Sequence, residues 1–389
     1  MAYSIYLKRG EENRLRSGHS WVYANEVARI EGKDKNGSLA SVYSSTGKFI
    51  GKGYINHLSK ILVRIFICDE NEEDTNELFR ARLTASNEYR IKLGYKNAYR
   101  MVFAEADNLP ALIVDKYDNY LAVQFLSLGM DKQKDRIVKL LAELFSPKGI
   151  YERSDVTVRA KEGLEERTGL LFGEVPDEII IEENGIKMSV DVKRGQKTGY
   201  FLDQKENRLV ARKYAVGADV LDCFSNSGGF SMNVATVAKS VLAVDISKLA
   251  TETVEHNAAL NGFTNVSTLT DDVFEVLRRF KAEGKKFDTV ILDPPAFCKS
   301  ADEVKDAYRG YKDINILGMK LVRDGGFLIT SSCSHYMTFP LFEKMFVEAA
   351  KESERHVRTV EIKSQAPDHP SLLCADETQY LKFFVLQII

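Results

Sequence analysis

The residues best suited to chemistry recur in the C-terminal half of the sequence, each at the end of a short apolar run. Asp222 follows Val220-Leu221, Asp245 closes VLAVD, Asp272 follows VSTLTD, Asp293 opens DPPAF, and Cys333 lies in ITSSCSHY. A carboxylate can hold hydroxyls, an amine or a cation. A thiol becomes a nucleophile once its neighbours lower its pKa. Taken singly, each acid is equally well explained as a helix N-cap, and a lone cysteine is usually a buried, inert thiol. Acids at the ends of three successive runs, Asp222, Asp245 and Asp272, argue instead for one shared ligand.

The first run ends in a small polar loop, Asp222 to Gly229, followed by an apolar helical pattern from Phe230. A loop at the carboxyl end of the first strand of an α/β sheet is where such folds bind nucleotides. The GxGxxG fingerprint of a dinucleotide site is absent, which disfavours a pyrophosphate ligand and an NAD oxidoreductase. S-adenosylmethionine suits the loop: backbone NH groups and the helix start can meet its carboxylate, and Asp222 its cationic end. Asp245 is placed for ribose hydroxyls, and Asp272 with Val273 for an adenine amine and face. Phe224, Asn226, Gly228, Gly229 and Ile246 complete the contacts expected on these loops. The two prolines after Asp293 stiffen their loop, which suits holding a planar base edge. Asp293 is therefore expected to serve both cofactor and base, and Pro294, Pro295 and Phe297 the substrate. Cys333 is favoured as nucleophile over Cys298, while Cys68, Cys223 and Cys374 read as structural. Five cysteines without CxxC spacing give neither a disulfide framework nor a metal site. GQKTGYFLDQKENR, from Gly195 to Arg208, suits a wall over cofactor and substrate through Gln196, Lys197 and Thr198.

These loops need a scaffold, and 389 residues suffice for two or three domains. Residues 1–70 alternate short apolar runs with turn signals and read as a small β-barrel. They hold 11 Lys+Arg against 7 Asp+Glu in a chain of net charge −2. Within them Arg14, His19 and Trp21 set cations beside an aromatic, a candidate RNA patch. Residues 71–192 read as a central α+β domain: a helix over Glu77–Leu93, a hairpin turning at Asp118-Asn119, a helix over Met130–Phe145, a short strand, and a second hairpin turning at Asn184-Gly185. From residue 193 strands and helices alternate as in a doubly wound sheet, with strands at Asp219–Asp222, Ser240–Asp245, Val266–Thr270, Thr289–Asp293, Gly326–Ser332, His356–Ile362 and Tyr380–Gln387. No run is long enough to span a membrane and no signal peptide is evident, so a cytoplasmic protein is expected.

Together the motifs resemble those of the bacterial ribosomal RNA large subunit methyltransferase I family. LKRGEENRLRSGHSWVYANEV is similar to its N-terminal PUA domain, ADNLPALIVDKYDNYLAVQF to its central domain, and GQKTGYFLDQKENR, DCFSNSGGFS, DPPAF and SSCS to its catalytic motifs. The resemblance implies an RNA-binding PUA barrel, a central α+β domain and a Rossmann-like, S-adenosylmethionine-dependent methyltransferase. It further implies that 5-methylcytosine is formed in large-subunit (23S) rRNA, with Cys333 as nucleophile. Related RNA cytosine-5 enzymes carry a second cysteine where this chain has Ala296. RNA is the expected partner, a membrane is not, and a homodimer stays open. Two alternatives remain: methyl transfer to a base nitrogen such as guanine N7 without a covalent adduct, or RNA binding in ribosome assembly without catalysis.

Overall fold

The protein is described by a computed structural model covering residues 2–298 and 300–389. Two compact units emerge. The first contains the chain up to Ile179, with Val190–Leu202 and Pro367–Thr378. The second contains Ile180–Ser189, Asp203–Ala366 and Gln379–Ile389.

The first unit opens with a six-stranded sheet. Its order in space is Trp21–Tyr23, Ile61–Ile67, Phe49–Ile55, Leu39–Tyr43, Tyr3–Leu7, Val27–Glu31. Tyr3, Ile5 and Leu7 point inward while Ser4 and Tyr6 do not, the period of two expected of a half-buried strand. Ile5, Val22, Val42, Ile55 and Val63 share the resulting core. A helix over Asn76–Lys92 follows, capped by Thr75, whose hydroxyl accepts from the Leu78 NH at 3.2 Å.

A second sheet has five strands, in the order Arg167–Gly173, Gly149–Ser154, Tyr120–Phe125, Leu112–Tyr117, Ala98–Phe103. The hairpin at Asp118-Asn119 forms as expected, with Asp118 at φ +53°. Two of these strands, Ala98–Phe103 and Arg167–Gly173, were not foreseen. Arg167–Gly173 is an edge strand with two glycines and exposed Leu170 and Phe172, so no buried alternation marks it. The helix expected over Met130–Phe145 is two helices, Leu128–Lys132 and Lys134–Phe145, broken at Gln133. The stretch Val190–Leu202 is tied to this sheet: Arg153 donates to the carbonyls of Val192 and Gly195 at 2.7 Å each. The stretch Pro367–Thr378 is tied in as well. Fully buried Arg90 donates to the Asp368 carbonyl at 2.8 Å, and the Asp368 carboxylate accepts from the Arg100 NH.

The hairpin at Asn184-Gly185 forms, with both residues at positive φ, but its strands Ile179–Glu183 and Ile186–Val190 make a separate two-stranded sheet rather than joining the central one. Its tip belongs to the second unit, where Glu183 pairs with buried Arg208 at 2.9 Å and Asn184 bonds Asn233.

The second unit is built on seven strands: β1 (Asp219–Cys223), β2 (Ser240–Asp245), β3 (Val266–Thr270), β4 (Phe287–Leu292), β5 (Val322–Ser332), β6 (Val357–Lys363) and β7 (Lys382–Ile388). Their order is 3-2-1-4-5-7-6, with β7 antiparallel to both neighbours and the rest of β1 to β5 parallel. Successive residues point to opposite faces, and both faces are covered. Leu221, Cys223, Val290, Leu292 and Leu328 enter one apolar cluster, while Val220, Ile291 and Ile329 enter the other. Each such buried aliphatic side chain contributes about 1.5–3 kcal/mol. Because β1 pairs with β2 on one side and β4 on the other, the strand order reverses there. That opens the crevice beyond the carboxyl ends in which such sheets bind ligands. No described helix is long and apolar enough to cross a membrane.

Candidate active site

Asp222 lies on β1, one residue before its carboxyl end, and is 1% exposed. One carboxylate oxygen accepts from the Ser231 hydroxyl at 2.6 Å; the other is buried with no partner. Burial pushes its pKa up to about 7, the carboxylates of Asp293 and Asp245 push the same way, and Ser231 opposes them. The loop that follows alternates in hand: Phe224, Asn226 and Gly228 have φ of +61°, +49° and +82°. Such alternation is the backbone of an anion-binding nest. Ser225 adds a buried hydroxyl without a partner. A β-carbon on Gly228 would lie 3.1 Å from Val254. Gly229 is required for a different reason: a β-carbon there would lie 2.5 Å from the Arg208 guanidinium.

Asp245 ends β2 and is half-buried. Its two oxygens accept from the NH groups of Asn226 and Ser247, each at 2.9 Å, which ties the β1 loop to the β2 loop. Ile246 beside it is 69% exposed. Asp272 caps the helix Val273–Ala282 by accepting from the Glu275 NH at 3.1 Å, and Val273 is buried at that helix start. Phe224 lies edge-on to Phe274, and Phe274 is 6.2 Å from Phe297.

Asp293 follows β4. It accepts from the Gln204 side-chain amide at 2.9 Å, and the same amide reaches the Ser331 hydroxyl at 3.4 Å. Pro294 is buried and Pro295 exposed. The Phe297 ring packs against Tyr311 at 4.7 Å, tilted by 40°. Cys298 is 3% exposed, its thiol donates to the Ser300 carbonyl, and burial raises its pKa.

Cys333 comes immediately after β5 and is half-buried. Its neighbours are held on both sides. The Ser332 hydroxyl accepts from the Ser334 NH, the Ser334 hydroxyl pairs with Tyr311 at 2.9 Å and accepts from the Cys298 NH, and the Ser334 carbonyl accepts from Lys382 at 2.6 Å. The carboxyl edge of one sheet thus presents Asp222, Asp245, Asp272, Asp293 and Cys333 at the ends of five parallel strands.

The remaining expected site residues lie in the first unit. Thr198 is fully buried, donating to Asp115 at 2.5 Å beside Tyr117. Gln196 and Lys197 are exposed, with Lys197 at φ +52° and its ammonium over the Phe201 ring. Arg14 donates to the Trp21 carbonyl and to Glu26, His19 pairs with Glu377 at 2.8 Å, and the Trp21 indole NH donates to Glu105. Gln204, Ser231, Tyr311 and Lys382 were not singled out from sequence. Gln204 lies inside a stretch that was, and Lys382 has a visible signal: it is a single charge opening the apolar run FFVL.

A group that is cationic at one end and anionic at the other fits the β1 loop. The partnerless, buried oxygen of Asp222 suits the cation, and the alternating backbone suits the anion. A family model for PUA-like domains matches residues 5–67, and one for S-adenosylmethionine-dependent methyltransferases matches residues 158–384. Ribosomal RNA large subunit methyltransferase I of Aliivibrio fischeri is 41% identical, and that of Pseudoalteromonas atlantica 42%, each over the full length of both chains. Among solved structures, a methyltransferase-type chain complexed with S-adenosylhomocysteine superposes with a TM-score of 0.86 at 21% identity over 100% of both chains, which shows the fold. The chain therefore belongs to the ribosomal RNA large subunit methyltransferase I family and is an S-adenosylmethionine-dependent methyltransferase.

Proposed function

We propose that the protein methylates carbon 5 of a cytosine in large-subunit (23S) rRNA through a covalent adduct with Cys333. The observation that carries this reading is the placement of a half-buried thiol at the end of β5, with a cation and a phenol around it, on the same sheet edge as Asp222 and Asp293. The relatives' name supplies the RNA.

S-adenosylmethionine supplies a methyl group on a sulfonium. Asp222 holds its cationic end, the Phe224–Gly229 backbone its carboxylate, Asp245 its ribose, and Asp272 with Val273 its adenine, with Ile246 exposed at the rim. The target base leaves its stack before reaction and is held by Pro294, Pro295 and Phe297. Carbon 5 of cytosine is a weak nucleophile. The Cys333 thiolate adds to carbon 6, and the electron pair of the 5,6 double bond becomes available at carbon 5. Asp293, steadied by Gln204, holds the polar edge of the ring and, in its acid form, gives a proton to ring nitrogen 3 as addition develops negative charge, taking it back when Cys333 leaves. Carbon 5 takes the methyl group. Loss of its proton to a base then expels Cys333 and restores the double bond. In the N-terminal domain Arg14, His19 and Trp21 form the RNA-contact patch.

The test is Cys333→Ala, assayed with 23S rRNA and nucleoside mass spectrometry. The expected result is a loss of 5-methylcytosine formation of roughly 10³-fold or more, with cofactor affinity retained. Full turnover in this variant would remove the covalent step and favour methylation of a base nitrogen. Absence of any S-adenosylmethionine binding by the wild type would favour a non-catalytic assembly role.

A further inference from the structure

Lys382 opens β7 and is 2% exposed. Its ammonium donates to two backbone carbonyls, Ser334 at 2.6 Å and Tyr380 at 2.7 Å, and among the described residues it forms no ion pair with a carboxylate. In the antiparallel pairing of β5 with β7 it stands opposite Ser332, the residue before Cys333. The rest of β7 is almost entirely apolar and buried.

A buried lysine satisfied only by carbonyls is costly, and a methionine of similar length would fill the same volume without desolvating a charge. The fold therefore gains little from the charge itself. What the charge does reach is the nucleophile's segment. The carbonyl it holds belongs to the residue after Cys333, and among the described residues Cys333 is the titratable group whose charge acts on it.

We infer that Lys382 is a positioning residue for Cys333: it fixes the backbone after the thiol and supplies the positive charge that favours the thiolate. Burial lowers the lysine's pKa to about 8, and Cys333 acts in the opposite direction, the sign expected of a cation facing a thiolate. The other titratable groups near the pair are Tyr311 on the helix Val304–Leu321, whose pKa burial raises to about 12, Cys298 on the proline loop, Asp293 after β4, and Tyr380 with its partner Asp203. Tyr311 and Cys298 are thus held neutral near pH 7, and among the described residues Lys382 is a cation whose charge acts on the thiol. The inference rests on Cys333 being the nucleophile, but it concerns the thiol's ionisation, which can be read without RNA.

The experiment is the rate of iodoacetamide alkylation of Cys333 in the full chain, followed peptide by peptide in a mass spectrometer from about pH 6 to 9. In the wild type, Cys333 should titrate at least about one unit below an ordinary thiol near 8.5. Lys382→Met should move that midpoint up and slow alkylation at pH 7 by about tenfold, with S-adenosylmethionine affinity reporting an intact fold. Lys382→Arg should restore most of the rate, since it keeps the charge. An ordinary midpoint in the wild type, or an unchanged profile in Lys382→Met, overturns the inference. If the methionine variant does not fold, the wild-type midpoint and the arginine variant decide. Failure of the nucleophile reading itself is seen separately, as methyl transfer retained by Cys333→Ala.

Discussion

Ser231 donates its hydroxyl to one oxygen of the Asp222 carboxylate at 2.6 Å and leaves the other oxygen buried with no partner. A carboxyl with a pKa of about 7 is half neutral at physiological pH. If the carboxylate is the form that holds the cofactor's cationic end, affinity for S-adenosylmethionine falls as pH drops below 7, by about tenfold per unit. Stability runs the other way. Between about pH 4 and 7 the folded chain keeps a proton here that the unfolded chain has lost, so the fold loses stability as pH rises through that window. Asp222→Asn cannot ionise and can still accept from Ser231. It should raise the melting temperature of the cofactor-free protein at pH 8 by roughly 2–6 °C while abolishing cofactor affinity. Calorimetry with and without S-adenosylmethionine measures both effects, and a lowered melting temperature would refute the assignment.

Gln204 holds Asp293 in place, since its amide bridges Asp293 and Ser331. Gln204→Ala should lower kcat by roughly 10- to 100-fold, about 1.4–2.8 kcal/mol of lost orientation, with a smaller change in the KM for S-adenosylmethionine. Equal losses in both would place Gln204 in cofactor binding instead.

Cys298 has its thiol on the Ser300 carbonyl and its pKa raised by burial, so it is a poor proton acceptor and a poor nucleophile. Cys298→Ala should retain turnover within about threefold and cost about 1 kcal/mol of stability. Nucleoside analysis and thermal unfolding of this variant separate the two effects.

In the N-terminal domain Trp21 is half-exposed and fixed by Glu105, whereas His19 is buried. Trp21→Ala should weaken rRNA-fragment binding by about 5- to 100-fold, the loss of one stacked base, without changing the salt slope. His19→Ala should act chiefly on the melting temperature, because its ring is spent on Glu377. Fluorescence anisotropy over a salt series distinguishes them.

The strand ends of the methyltransferase sheet were legible because each is an apolar run stopped by an acid, a proline pair or a cysteine. β2 and β3 fall on the residues expected, and β1, β4 and β5 end within a residue of them. What was not legible depends on pairing across long separations. No local pattern says that β7 inserts antiparallel between β5 and β6, and without that register Lys382 is merely a charge before an apolar run. Gln204 needs Asp293, 89 residues on, to acquire a role. Arg208 and Glu183 explain Gly229 only once the hairpin at Asn184-Gly185 is known to leave the central sheet. The edge strand Arg167–Gly173 was missed because two of its three large apolar residues, Leu170 and Phe172, are exposed, so its alternation carries little burial signal.

The stretch Pro367–Thr378 bears on how the protein emerges during its own synthesis. Arg90 is entirely buried, and the carbonyl of Asp368 that receives it lies 278 residues further along the chain. At roughly 5–20 residues per second of translation, that arginine waits about 15–55 s for its last partner. The first unit is therefore finished among the last segments made, and truncations near the C-terminus should damage the N-terminal half as much as the half they remove.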